Sequence, residues 1–175
     1  MRGYFGIGAE GISKAMNLGT LVRTAHAFGA AFAFVIDATY AVRAAKSDTS
    51  EAAGRLPIYE VPDAAALVLP KKCRLIGVEL TDDAVDLPSF RHPPQAAYVL
   101  GPERGELSAE VQARCDHVVR IPTRFCVNLG VAGAIVMYDR MLSLGRFAER
   151  PVHTDAAPAA RPPHVQGASR RRRLP

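Results

Sequence analysis

Five short apolar runs punctuate the chain: Gly3 to Ile7, Phe32 to Ile36, Leu75 to Val78, Ala97 to Leu100 and Val118 to Ile121. Each is continuous rather than alternating, as strands buried on both faces of a parallel sheet are. Between them lie stretches of helical character at Leu18 to Phe28, Asp63 to Leu69, Ala109 to Cys115 and Val131 to Phe147. In the first of these, Leu18, Leu21, Val22, Ala25 and Phe28 share one face and Gly29 is placed to stop the helix, while Ser108 suits the N-cap of a later one. Strand and helix alternate, which predicts an α/β domain with a parallel sheet covered on both sides. Ligands of such sheets gather where loops leave the carboxyl ends of the strands. The loops after Ile7, Val78, Leu100 and Ile121 are therefore the places to look for chemistry.

Composition fits one globular domain: 175 residues, 49% hydrophobic and 22% charged, enough to bury a core without a disulfide or structural metal. The net charge of +5 would point to an anionic partner, but it is unevenly placed. Residues 151–175 hold Arg161 and Arg170, Arg171, Arg172 and Arg173 against Asp155 alone, so residues 1–150 carry only +1. The segment 151–175 is rich in Pro and Ala and poor in large apolar side chains, and reads as a disordered basic tail behind a folded domain spanning 1–150. Such a tail is either a salt-sensitive grip on phosphates or a solvated end. Cys73, Cys115 and Cys126 have no metal-ligand or disulfide spacing, and no signal peptide or 18-residue apolar stretch occurs. The expectation is a cytoplasmic protein without metal or membrane.

Gly6-Ile7-Gly8-Ala9-Glu10-Gly11 matches G-x-G-x-x-G, with Asp37 ending the next strand, and on paper is a dinucleotide fingerprint. Against it, only five residues precede Gly6, and Glu10 would set a carboxylate against a pyrophosphate at the helix N-terminus. A loop whose glycines allow tight bends is the favoured reading.

Three other motifs carry more. In Asn17-Leu18-Gly19-Thr20-Leu21-Val22-Arg23, Asn17 suits a helix start and Arg23 falls within or beside an apolar stripe. There a guanidinium is paired with a carboxylate, awaits a phosphate, or snorkels at the stripe's edge. In Gly101-Pro102-Glu103-Arg104-Gly105-Glu106-Leu107-Ser108, Glu103 rides at the carboxyl end of a strand, as an ordinary turn residue, a catalytic group or the ion-pair partner of Arg23. In Ile121-Pro122-Thr123-Arg124-Phe125-Cys126-Val127-Asn128-Leu129-Gly130, a strand runs into a helix whose Gly130, Ala132, Gly133 and Ala134 permit close backbone approach. Cys126 has no His and Asn/Asp constellation and reads as a small buried residue.

N-x-G-x-x-x-R, then G-P-E, then I-P with an Asn-containing turn resemble, in order, the three motifs of the SpoU (TrmH-like) RNA 2′-O-ribose methyltransferases, over about residues 3–147. The resemblance implies a SPOUT-type parallel sheet flanked by helices, with a C-terminal deep trefoil knot, a homodimer and S-adenosylmethionine as cofactor. The implied activity is methyl transfer to a ribose 2′-hydroxyl of tRNA or rRNA. Carried over, Arg23, Asn17, Glu103 and Asn128 take catalytic roles, with Glu103 and Asn128 fixing the arginine and the site backbone. Val78, Glu79, Leu80, Gly101, Ile121, Cys126 and Val127 line the cofactor site, and Lys14, Arg23 and Arg170, Arg171, Arg172 and Arg173 face RNA.

Two departures stand out. The motif-two glycine expected just before Leu107 is displaced to Gly105, and Cys126-Val127-Asn128-Leu129-Gly130 replaces the common Ser-x-Asn-x-Ser, removing both hydroxyls. The altered third motif leaves open a catalytically weak RNA- or cofactor-binding accessory protein, and the glycines of residues 6–11 leave open an NAD-binding oxidoreductase. With no separate RNA-binding domain ahead of residue 3, the expected target is a compact stem-loop.

Overall fold

The computed structural model describes residues 3–38, 55–148, 150–151 and 153–158. The chain divides into two units, Met1–Gly145 and Arg146–Pro175. In the second, Ala156 donates its N–H to the His153 carbonyl at 3.4 Å to close a turn. Arg170 to Arg173 lie outside the described residues.

The first unit is built on a seven-stranded sheet comprising β1 (Tyr4–Glu10), β2 (Phe32–Ile36), β3 (Ile58–Val61), β4 (Arg74–Val78), β5 (Val85–Asp86), β6 (Gln95–Leu100) and β7 (His117–Arg120). Its order is β3-β2-β1-β6-β4-β7-β5, and every paired neighbour is parallel. The helices lying wholly within the described residues are α1 (Ala15–Ala27), α2 (Ala109–Arg114) and α3 (Leu129–Leu144), with a 3-10 turn at Leu87–Ser89.

Strand side chains alternate between faces, and here both faces are dry. Ile7, Ala33, Val35, Ile76, Tyr98 and Leu100 enter one core with Leu18, Leu21 and Val22 of α1 and Val136 and Met137 of α3. Phe34, Ile36, Leu75, Ala97 and Val99 enter a second core with Val111 of α2. The close approach expected of the third motif's small residues is present: a Cβ added to Gly133 would lie 2.4 Å from Leu21 Cδ1, so α3 settles directly on α1.

Three expectations are corrected, and two strands are added. The segment Asp63 to Leu69 is not a helix. It is bracketed by Pro62 and Pro70, and Asp63 accepts the Ala66 N–H at 2.8 Å in a local turn; a seven-residue segment does not offset the cost of helix nucleation on its own. Gly6 and Gly8 lie within β1 rather than in a loop, because β1 runs on to Glu10. A Cβ at Gly8 would stand 2.3 Å from the Phe34 carbonyl oxygen, so these glycines let the Phe32 and Phe34 side chains and the β2 backbone close over β1. The phosphate-binding turn of a dinucleotide site is thereby absent, and only Gly11, at φ +59°, makes the bend. Two strands, β3 and β5, also went unpredicted, being short and largely solvent-facing. Cys126 is exposed rather than buried.

Beneath the amino-terminal ends of β1 and β6 sits a buried polar cluster. His92 contacts the Tyr98 hydroxyl through Nδ1 at 2.6 Å and Asp139 through Nε2 at 2.9 Å. Arg140, 1% exposed, donates to the Pro93 and Pro94 carbonyls at 2.6 and 2.8 Å and to the Tyr98 hydroxyl at 3.2 Å. Burial pushes the Tyr98 hydroxyl up to about 12 and lowers His92, outweighing the pull of Asp139 on the imidazole.

Candidate active site

At the opposite, carboxyl ends of β4, β6 and β7, a cavity of about 400 Å³ opens between the strand exits and the first turns of α1 and α3. Val78, Glu79 and Leu80 leave β4 along one wall; Gly101, Pro102 and Glu103 leave β6; Ile121, Cys126 and Val127 approach from β7. All seven residues expected at the cofactor site thus line one cavity, together with Lys14, Asn17, Glu103 and Asn128.

A directional chain of hydrogen bonds ties the three loops together. Asn128 caps α3, its Oδ1 accepting from Gly130 N–H at 2.9 Å, while its Nδ2 donates to Asn17 Oδ1 at 3.0 Å. Asn17 in turn donates through Nδ2 to Glu103 Oε1 at 2.9 Å. The Glu103 carboxylate also accepts from Ser13 N–H and Oγ–H, each at 3.0 Å, and from Lys14 N–H at 3.1 Å. Partial burial alone would raise the Glu103 carboxyl, but the hydrogen bonds from Asn17 and Ser13 prevail and hold it below its ordinary value. Glu103 therefore stays ionised and anchors the segment that leads into α1.

Glu79 forms a second anchor: Oε1 accepts Leu80 N–H and Oε2 accepts Leu107 N–H, both at 2.9 Å. A Cβ at position 101 would stand 2.9 Å from Glu79 Oε2, so Gly101 is what admits this carboxylate. Glu10, at the end of β1, accepts Ser108 N–H at 2.8 Å while the Ser108 Oγ accepts from Val111 N–H as the N-cap of α2. Its carboxylate is thus held by the motif-two loop.

Arg23 is not in the cavity. It lies on the exposed side of α1 and makes no hydrogen bond or ion pair with the described residues. The expected pairing with Glu103 is therefore corrected: Asn17, Ser13 and Lys14 already occupy that carboxylate, and the buried side of α1 runs through Asn17, Leu18, Leu21, Val22 and Ala25. Leu100, Pro102, Gly105, Thr123, Leu129 and Ala132 also line the cavity, though none of them is among the residues expected at the cofactor site. The helical spacing of Asn128 and Ala132, four residues apart on one face, was the available signal. Phe125, 76% exposed, sits in the loop between Ile121 and Cys126 with its carbonyl held by Thr123 Oγ–H at 2.9 Å.

The cavity's size lies within the ~300–1,000 Å³ of small-molecule sites, and its apolar walls at Val78, Leu80, Leu100 and Ile121 suit a flat base while its carboxylates suit a cation. A nucleoside carrying positive charge fits this donor set; a pyrophosphate does not. Among the described residues no group of three or more His, Cys, Asp or Glu is placed to hold a metal ion, and no helix is long and apolar enough to cross a membrane.

Comparison with known proteins identifies the family and the fold. Residues 5–138 match the model of the SpoU rRNA Methylase family. The tRNA (guanosine(18)-2′-O)-methyltransferase TARBP1 of Mus musculus is 32% identical over 138 residues, covering 73% of this chain and 9% of that protein, so the chain spans a small part of this relative. Among solved structures, the SpoU methyltransferase AviRb from Streptomyces viridochromogenes, in complex with AdoMet, superposes with a TM-score of 0.69 at 22% identity, over 83% of this chain and 60% of that one. The TrmH/SpoU tRNA modifying enzyme of A. aeolicus does so with a TM-score of 0.68 at 18% identity, over 79% and 74%. These structural likenesses establish a shared fold, and with the family match across most of the described core, the chain belongs to the SpoU rRNA methylase family.

Proposed function

We propose that this protein transfers a methyl group from S-adenosylmethionine to a ribose 2′-hydroxyl of tRNA or rRNA. The observation that carries this reading is the convergence of all three motif loops on one cavity, joined by the Asn128–Asn17–Glu103 hydrogen-bond chain. Val78, Leu80 and Ile121 would hold the adenine, with backbone groups at the strand ends meeting its polar edge, and the pocket carboxylates would face the positive charge. When bound, the cofactor supplies an electrophilic methyl group to a nucleophilic hydroxyl. The family match and the AdoMet-bound fold relative support this assignment.

Within the chain, Asn17, Glu103 and Asn128 position the loops, so that the site is organised before substrate arrives. Arg23 would hold the phosphate beside the target ribose and stabilise the developing alkoxide, as a guanidinium that stays charged. Because Arg23 faces outward from its own α1, this role calls for a second copy that brings its Arg23 to the neighbouring pocket, and we read the protein as a homodimer. The strand order supports a trefoil knot: β7 lies between β4 and β5, so the chain from β4 to β6 passes outside the later strand. The body 1–150 would carry the chemistry, which needs no metal, with the tail 151–175 and Lys14 adding phosphate contacts. The free cysteines suit a reducing cytoplasm.

Calorimetric titration of the full chain with S-adenosylmethionine and, separately, with NADH tests the cofactor. Binding of the first alone is expected; binding of NADH alone would overturn the reading. Cofactor binding without transfer to any RNA would mark the accessory role that the altered third motif leaves open.

A further inference from the structure

The cavity carries an unbalanced charge. Two carboxylates, Glu79 and Glu103, face it against one cation, Lys14. The ion pairs among the described residues, Arg74 with Asp116, His92 with Asp139 and Arg120 with Asp86, all lie elsewhere. Among the described residues, neither cavity carboxylate has a cationic side chain within ion-pair distance, Lys14 included.

Glu79 is held so that it cannot turn away. Each of its oxygens accepts one backbone N–H, Leu80 on one side and Leu107 across the motif-two loop, both at 2.9 Å. A carboxylate oxygen offers about two acceptor positions, so one remains on each. The absence of a side chain at Gly101 lets this carboxylate sit against the exit of β6, where a Cβ would stand 2.9 Å from its Oε2. A fixed anion without a counter-ion favours a ligand that brings positive charge, and it does so with little reorganisation.

We propose that Glu79 makes this pocket distinguish the sulfonium cofactor from its thioether product, so that the product is held more weakly once the methyl group has left. The inference rests on the methyltransferase reading of the site. Transfer leaves the electron pair of the broken C–S bond on sulfur, joins the methyl carbon to the ribose oxygen and releases the hydroxyl proton to solvent. The ligand in the pocket has then lost one positive charge while keeping the same nucleoside and amino-acid groups. Glu103 contributes to the same field, but its four donors already neutralise much of it, leaving Glu79 as the less compensated carboxylate.

The test is calorimetric titration of the wild-type chain and Glu79→Gln with S-adenosylmethionine and S-adenosylhomocysteine. Wild type is expected to bind the sulfonium about tenfold more tightly, equivalent to about 1.4 kcal/mol, and Glu79→Gln to bring the two affinities within about threefold while retaining the thioether. Equal affinities in wild type, or a ratio unchanged in Glu79→Gln, would overturn the proposal. Should Glu79→Gln fail to fold, the wild-type ratio decides alone: a sulfonium preference of less than about threefold overturns the proposal. Failure of wild type to bind either ligand is a different result, which removes the cofactor reading itself.

Discussion

Replacing Glu103 by Ala removes the acceptor on which the start of α1 and the motif-two loop both hang. Four donors lose their partner, but they are not equivalent: Asn17 is only 8% exposed, whereas Ser13 and Lys14 are open to water, which replaces the carboxylate for them. The Asn17 bond to a charged acceptor is worth about 1.5–3 kcal/mol. Loss of a negative charge beside the N-terminus of α1 adds about 0.3–1 kcal/mol. Glu103→Ala should therefore destabilise the fold by about 2–4 kcal/mol, lowering the melting temperature by roughly 5–15 °C for a domain of this size. Equilibrium urea unfolding measures it, and a cycle with Asn17→Ala should show a coupling of about 1 kcal/mol or more. A loss under about 0.5 kcal/mol, or strict additivity with Asn17→Ala, would refute the idea that this chain of hydrogen bonds holds the site together.

Arg23→Ala should abolish methyl transfer while leaving S-adenosylmethionine affinity nearly intact, since Arg23 lies outside its own cavity; calorimetry beside a transfer assay checks this, and joint loss would sink the assigned role. The lowered His92 pKa makes stability pH-dependent: the unfolded imidazole takes up its proton near pH 6.5, the folded one only lower, so the contribution is full above about pH 6.5 and is lost as pH falls through the native value. Thermal melts between pH 8 and 5 should show a decline that flattens in His92→Phe. Gly8→Ala forces a Cβ to 2.3 Å from the Phe34 carbonyl and should cost about 3 kcal/mol in denaturant unfolding. Gly29→Ala meets open space at φ +75° and should cost only about 1 kcal/mol.

The alternation of apolar runs with helical stretches was enough to foresee the parallel sheet, and the three motifs to foresee which loops meet. Ser108 as an N-cap and the close approach of α3 to α1 were also readable, because each follows from a local residue preference. Asp63 to Leu69 misled because apolar spacing in seven residues cannot distinguish a turn from a helix, and the flanking prolines carried the better signal. Gly6 and Gly8 misled for a different reason: they make room for phenylalanines on the adjacent strand, a pairing that no local pattern reveals. The partner of Glu103 was likewise non-local. Charge alone pointed to Arg23, whereas the helix places Asn17 inward and Arg23 outward, and the neutral amide takes the carboxylate. The twofold anchoring of Glu79 depends on a loop 28 residues further along the chain and became visible only in the fold.

The most direct test incubates the full chain with S-adenosylmethionine labelled in its methyl group and unmodified tRNA or rRNA, followed by alkaline hydrolysis. Label recovered in alkali-resistant dinucleotides, the mark of a 2′-O-methyl ribose, is the predicted result, and it should disappear in Arg23→Ala. Label confined to bases, or no transfer to either RNA by a chain that binds the cofactor, would contradict the account.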